Sequence, residues 1–340
     1  MVNARGYITT NFTKSFLTIF LPFFLIISLV YLVKISALTA QIKLTFTELL
    51  TLFSYSVPDI VFYTLPLSFI AALANVLLKL STDNELIALY ALGLNANRIL
   101  RSLFLVSLLF SLLLLTISFL AMPMSKQLYK SFKEEKKTEA KLNIVPGKLG
   151  QKFGEYYVYV KEKNDDETFK DLVIYNRTNM NNEQFFAAKH GKLNKQNGQT
   201  SLLLQDGYGY TYTKDSLQQA KYRTLEAFDT TKQQNFHFED ILVYWKKAMH
   251  DKKIMHRLLF FFFVSLIPLL SVYLVASFTM INPRYQANRS FTVIFGTTLL
   301  LYLIASSLEK WGTLSALAVA VLLTLIGGIL LFQKRVARYF

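Results

Sequence analysis

The residues best suited to chemistry form one short run, Ser81-Thr82-Asp83-Asn84-Glu85-Leu86-Ile87-Ala88-Leu89-Tyr90-Ala91-Leu92-Gly93. Thr82 with Glu85 three residues on reads as a capping box, the hydroxyl taking an orphan N–H while the carboxylate reaches back. Asp83 and Glu85 then lie at the positive end of the helix dipole, and Gly93 supplies a left-handed stop. Leu86, Leu89 and Tyr90 share one stripe. The chemistry on offer is recognition, not bond-making. A helix lying on a membrane surface usually carries Lys and Arg on its polar face, whereas residues 82–92 hold acids and no base. An acid-tipped, apolar helix fits a groove on a protein partner. The expected contact residues are Thr82, Asp83, Glu85, Leu86, Leu89, Tyr90 and Gly93.

Other chemistry is thin. The chain has no Cys, so no disulfide scaffold, thiolate metal site or Cys nucleophile is available. His190, His237, His250 and His256 show no ligand spacing, and no metal or cofactor is expected. Neither a Gly-x-Ser-x-Gly elbow nor a P-loop occurs, so no catalytic residue is assigned and any energy must come from another protein. Lys34 and Lys43 form a second candidate set, as contacts for lipid phosphates. Snorkelling to the interface is the commoner role for such lysines. Lys310 reads as a local pair with Glu309.

The elements that must carry these residues are membrane spans. Hydrophobic residues make up 53% of the 340 and charged residues 17%, against about 25% charged in a soluble domain. A bilayer core needs about 20 apolar residues in helix. Ser15–Val33, Ile60–Leu78, Ser102–Ser125, Leu258–Pro283, Ser290–Leu308 and Trp311–Gln333 each qualify without a charge. The first lacks a cleavage site and is too long for a signal peptide, so it reads as a retained span. Pro66, Pro268 and Gly327-Gly328 inside spans read as packing features. No carboxylate falls within these windows, which argues against an ion-coupled secondary transporter. A membrane-anchored extracytoplasmic binding or scaffold protein is the other alternative, and it has no use for a capped acidic connector.

Between spans three and four lies a long polar insertion, Lys126–Arg257. Lys126–Lys141 is helical in composition and Pro146-Gly147 breaks it. Period-two alternation then runs to about Asp229, with strands at Tyr156–Lys161, Phe169–Arg177, Gln184–His190, Lys192–Asn194, Ser201–Gln205 and Tyr208–Thr213. Asn197-Gly198 reads as a hairpin and Asp206-Gly207 as a second turn. Many short strands suggest a sandwich or jellyroll. The fold class is thus an integral membrane α-helical protein, three spans plus three, with an inserted all-β domain. Its expected divisions are 1–125 with a connector helix at about 83–92, 126–257 with the jellyroll at about 146–229, and 258–340. Arg5, Lys14, Lys79, Arg98, Arg101, Arg284, Arg289, Lys334, Arg335 and Arg338 lie on the terminus side, against Lys34, Lys43 and Lys310 in the opposite short loops. The formal charge of +15 therefore reflects topology, not nucleic acid. The positive-inside rule puts both termini in the cytoplasm and the β domain outside.

The connector, Thr-Asp-Asn-Glu-Leu-Ile-Ala-Leu-Tyr-Ala-Leu-Gly, resembles the signature of the LptF/LptG (YjgP/YjgQ) permease family. So do the order three spans, β domain, three spans, with Pro-Leu-Ser at 66–68 and Asn-Pro-Arg at 282–284. Tyr90 stands where that family often has Arg or His. Asn282-Pro283-Arg284 is closer to the LptF-like member. The resemblance implies a permease subunit of an ABC transporter that extracts lipopolysaccharide from the inner membrane of a Gram-negative bacterium. It implies as partners a paralogous permease, an LptB-like ATPase dimer and an LptC-like bitopic protein leading to a periplasmic bridge. Residues 83–92 would then be the coupling helix, with Glu85 as its acid, and spans one and five the lateral gates.

Overall fold

The computed structural model describes residues 4–39, 44–142, 144–153, 156–164, 168–179, 182–196, 199–213, 216–228, 239–248, 251–280 and 290–338. Asn197-Gly198, Lys43 and Asn282-Pro283-Arg284 lie outside them. Two compact units result, one of residues 1–40, 45–129 and 238–340, the other of 130–237 with 41–44.

In the first unit α1 (Ala4–Thr39), α2 (Phe46–Thr82), α3 (Glu85–Ala91) and α4 (Ala96–Thr116) lead through a π-helical turn (Ile117–Ala121) into α5 (Met122–Leu142). The chain returns through α6 (Ile241–Ala248), α7 (Lys252–Thr279), α8 (Ser290–Trp311) and α9 (Leu314–Phe332). Among the described residues six helices are long and apolar enough to cross a membrane. They are apolar all round, as lipid-exposed helices must be. Burial sorts them into layers. α2 and α7 are the most buried, and α1, α4, α8 and α9 surround them. Phe12, Phe16, Phe69 and Phe110 interlock across α1, α2 and α4, with ring centroids 4.9–6.3 Å apart. One residue after Pro268, which is itself buried in α7, the Leu269 N–H donates across to Ser111 Oγ at 3.3 Å. Gly328 packs closely on α7, a Cβ there meeting Leu274 N at 3.3 Å, whereas Gly327 faces open space.

Two sequence expectations change here. Span two is not confined to 60–78: α2 starts at Phe46, so Asp59 lies inside it. A carboxylate thus lies in the helix that carries span two, one residue before its charge-free window, 3.6 Å from Lys126 Nζ of α5. That separation exceeds hydrogen-bond length, so the contact is Coulombic. Glu309 and Lys310 both continue α8 instead of forming a turn, and no ion pair joins them among the described residues. Adjacent helical side chains point apart.

The second unit is an antiparallel six-stranded meander in the order β1 (Gln151–Phe153), β2 (Tyr156–Lys163), β3 (Thr168–Asn179), β4 (Asn182–Gln196), β5 (Gln199–Thr213) and β6 (Ser216–Phe228). One face is apolar and buried, around Val158, Val160, Phe169, Leu172, Ile174, Leu202 and Leu204. The sequence suggests six strands and six are found, but they are longer and divided differently. The pairs 184–190 with 192–194, and 201–205 with 208–213, each form one strand. Asp206-Gly207 is therefore a mid-strand irregularity, not a hairpin. Asp206 has φ 53° and Asp171 φ 50°. Lys161, Asp171, Lys189, Asp206 and Arg223 fall at one transverse row that the strand pairing skips. Across it the inward positions step by three instead of two: 169 to 172, 188 to 191, 204 to 207, 222 to 225. Asp171 and Asp206 leave extended geometry on this line, and charges alternate along it, with Lys161 Nζ 3.4 Å from Asp171 Oδ2. Just beside it Tyr222 lies across Gly207 and donates its O–H to Ala187 O at 3.0 Å. A Cβ on Gly207 would stand 2.2 Å from that same oxygen, so only glycine fits.

Candidate functional site

Helix α3 occupies the link between α2 and α4. Thr82 is the last residue of α2, and its hydroxyl donates back to Lys79 O at 3.2 Å. Asn84 follows at φ 59° and directly precedes α3, with no side-chain cap. The expected Thr82–Glu85 capping box is therefore absent. A residue finishing one helix cannot also take the extended geometry of the next one's cap. Glu85 points elsewhere: its Oε2 accepts from Tyr7 Oη of α1 at 2.8 Å. The other end follows expectation. Gly93 has φ 78°, its N–H donates to Tyr90 O at 2.9 Å, and the Leu94 N–H donates to Leu89 O at 3.1 Å. That pair of bonds is a Schellman stop.

Burial decides which face is available. Leu86 is 1% exposed, and Leu89 and Tyr90 pack against the same apolar core as α2, α4 and α7. Burial raises the Tyr90 hydroxyl above the usual tyrosine range. The stripe expected to face a partner thus anchors α3 to its own bundle. Below it Ser81 Oγ donates to Thr279 O at 2.9 Å, joining the ends of α2 and α7. The outward face consists of Asp83, Asn84, Ile87, Ala88, Ala91 and Leu92, with Ile87 40% and Leu92 78% exposed. Nothing in the local sequence pattern marks Ile87 and Leu92 as the outward residues. The inward or outward choice for each apolar residue depends on how α3 docks, which a periodicity of seven residues does not encode. Nothing in the sequence pairs Tyr7 with Glu85, which lie 78 positions apart.

Lys34 is exposed on α1, with Nζ 5.7 Å from the Tyr31 ring centroid. It lies far along the helix from Tyr7, so Lys34 and α3 do not share a site. Among the described residues no group of His, Asp or Glu could hold a metal ion.

A connector helix between the second and third of six spans, with a β insertion after the third, can be compared with known families. The profile of the lipopolysaccharide export system permease LptF/LptG family matches residues 6–334. The chain belongs to that family. The LptF/LptG match spans both halves of the helical unit and the whole sheet, so the β insertion is part of the family pattern and not an addition to it. No curated protein sequence matches the chain. As an LptF/LptG protein it is a multi-pass inner-membrane permease of lipopolysaccharide export.

Proposed function

We propose that this chain is one of two permeases in an ABC-type exporter, and that α3 is the coupling helix through which a cytoplasmic ATPase drives it. In this reading the termini and α3 lie in the cytoplasm and the sheet in the periplasm, as the distribution of Lys and Arg favours. An LptB-like ATPase dimer receives the outward face of α3. A paralogous permease completes the intramembrane path, and an LptC-like protein accepts the lipid.

The observation that carries the reading is the two-sided burial of α3. Its inner stripe is locked to the bundle while Asp83, Ile87 and Leu92 project outward. A helix anchored on one side and apolar on the other transmits force, and the acid at its start adds charge selectivity for a basic groove. The cargo requires outside energy. Each acyl CH₂ contributes about 0.8 kcal/mol to membrane anchoring, so a multi-acyl lipid taken bare through water costs on the order of tens of kcal/mol. Both the bundle and the sheet carry the apolar side chains that such a lipid needs. Purification in mild detergent tests the proposal. Recovery of a P-loop ATPase and a second six-span permease is expected, and a lone homo-oligomer with no ATPase would overturn it.

A further inference from the structure

Span three is interrupted where it continues into α5. In the π-helical turn Ile117–Ala121 the Met122 N–H donates to Ile117 O, five residues back. The cause stands one residue later. Pro123 has no N–H, and its ring crowds the carbonyl four residues before it, that of Phe119. An open carbonyl inside a span is costly because lipid offers it no donor. The donor comes from another element: Trp245 of α6 places Nε1 2.9 Å from Phe119 O, with the two rings 5.1 Å apart.

Both sides of this π-helical turn, where proline and π-bulges bend helices, are held. Before it, Ser118 Oγ lies 3.2 Å from Ser265 Oγ of α7. Beyond it, Lys126 faces Asp59. Gln127, 9% exposed, uses both ends of its amide on the Glu239 main chain, accepting from N at 2.9 Å and donating to O at 3.1 Å. Glu239 and α6 are where the chain returns from the sheet, and Lys126-Gln127 are where it leaves. The outgoing and returning segments are therefore clasped to each other and to the bend.

We propose that Trp245 is a positioning residue for lipid transfer: it supplies the hydrogen bond that Pro123 removes, and so makes the bend of span three depend on the segment returning from the β domain. Pro123 provides a hinge and Trp245 sets its angle. Displacement of either the membrane helices or the returning segment is passed to the other through this bond. The inference rests on the export reading for its consequence, though not for its chemistry.

A double-mutant cycle separates the two. The full chain, with co-purified partners, is compared as wild type, Trp245→Phe, Pro123→Ala and both together. Phenylalanine keeps the ring against Phe119 and loses the N–H. Alanine at 123 restores an N–H that can serve Phe119 O from within span three. Trp245→Phe alone is expected to lower Tm by several degrees, and in the Pro123→Ala background to leave it nearly unchanged. In proteoliposomes Pro123→Ala, with its Tm intact, is expected to release severalfold less lipopolysaccharide per ATP hydrolysed. Equal Tm losses in both backgrounds would overturn the bond as the link. Wild-type release by Pro123→Ala would overturn the hinge. Absence of any co-purifying ATPase would instead strike the export mechanism and leave the Tm cycle readable.

Discussion

Replacing Leu92 and Leu86 in turn with alanine separates the two faces of α3. Full burial of a leucine side chain contributes roughly 1.5–3 kcal/mol. Leu92 is 78% exposed in the free chain, so its docking into an ATPase groove is worth about 1–2 kcal/mol. Leu92→Ala should therefore weaken ATPase binding by roughly 5–30-fold and leave Tm within experimental error. Leu86, at 1% exposure, behaves in the opposite way. Its truncation leaves a cavity in the bundle and costs about 2–5 kcal/mol of stability, seen as a lowered Tm, while the outward face keeps its chemistry. The assay is titration of the purified ATPase onto immobilised permease complex in detergent, alongside thermal unfolding of each variant. Unchanged affinity for Leu92→Ala at unchanged Tm would refute the outward-face assignment. So would a Leu86→Ala variant that loses affinity with no change in Tm.

Tyr7→Phe deletes the bond to Glu85 at an exposed site and should change stability by no more than about 1 kcal/mol; less lipid released per ATP is expected with ATPase binding retained, and an unchanged ratio would remove this contact from the coupling path. Lys34→Glu should lower lipid release while complex assembly, followed by co-purification, stays normal; unchanged release would remove Lys34 from the lipid path. Gly207→Ala forces a Cβ against a main-chain oxygen and should cost about 1–3 kcal/mol or more, read as a lower unfolding midpoint of the sheet. Burial pushes the Tyr222 hydroxyl up to about 12. Its folded pKa exceeds the unfolded value near 10, so the unfolded chain gives up its proton first as pH rises. The contribution is complete below about pH 10 and is lost towards pH 12; Tyr222→Phe should flatten that part of the alkaline melting curve.

Much of the architecture was readable because lipid imposes simple rules. Six charge-free apolar runs had to be helices, and alternation between 151 and 229 had to be strands. The errors arise where tertiary contacts override local signals. Asp59 reads as a boundary, yet Lys126 lets it sit inside α2. Thr82 and Glu85 have cap spacing, but the hydroxyl finishes α2 and the carboxylate meets Tyr7. Asp206-Gly207 has hairpin composition, yet it belongs to an irregularity shared with neighbouring strands and invisible to any window along one strand. β6 was not singled out as a strand, since most of its side chains are exposed and its alternation carries little apolar contrast. For the candidate site, the segment and its Gly93 stop were legible from composition, whereas the face it presents was not. The pairing of Pro123 with Trp245 had only a faint trace, one of two tryptophans in a polar return segment.

The row Lys161, Asp171, Lys189, Asp206 and Arg223 has a mechanical meaning. A crease shared by five neighbouring strands cannot be flattened in one of them alone without breaking the rungs on either side. The apolar face on either side of that line is therefore tied together through it, as the two halves of a folded card are tied along the spine. Mutating a single aspartate on that spine should be felt across the full breadth of the sheet.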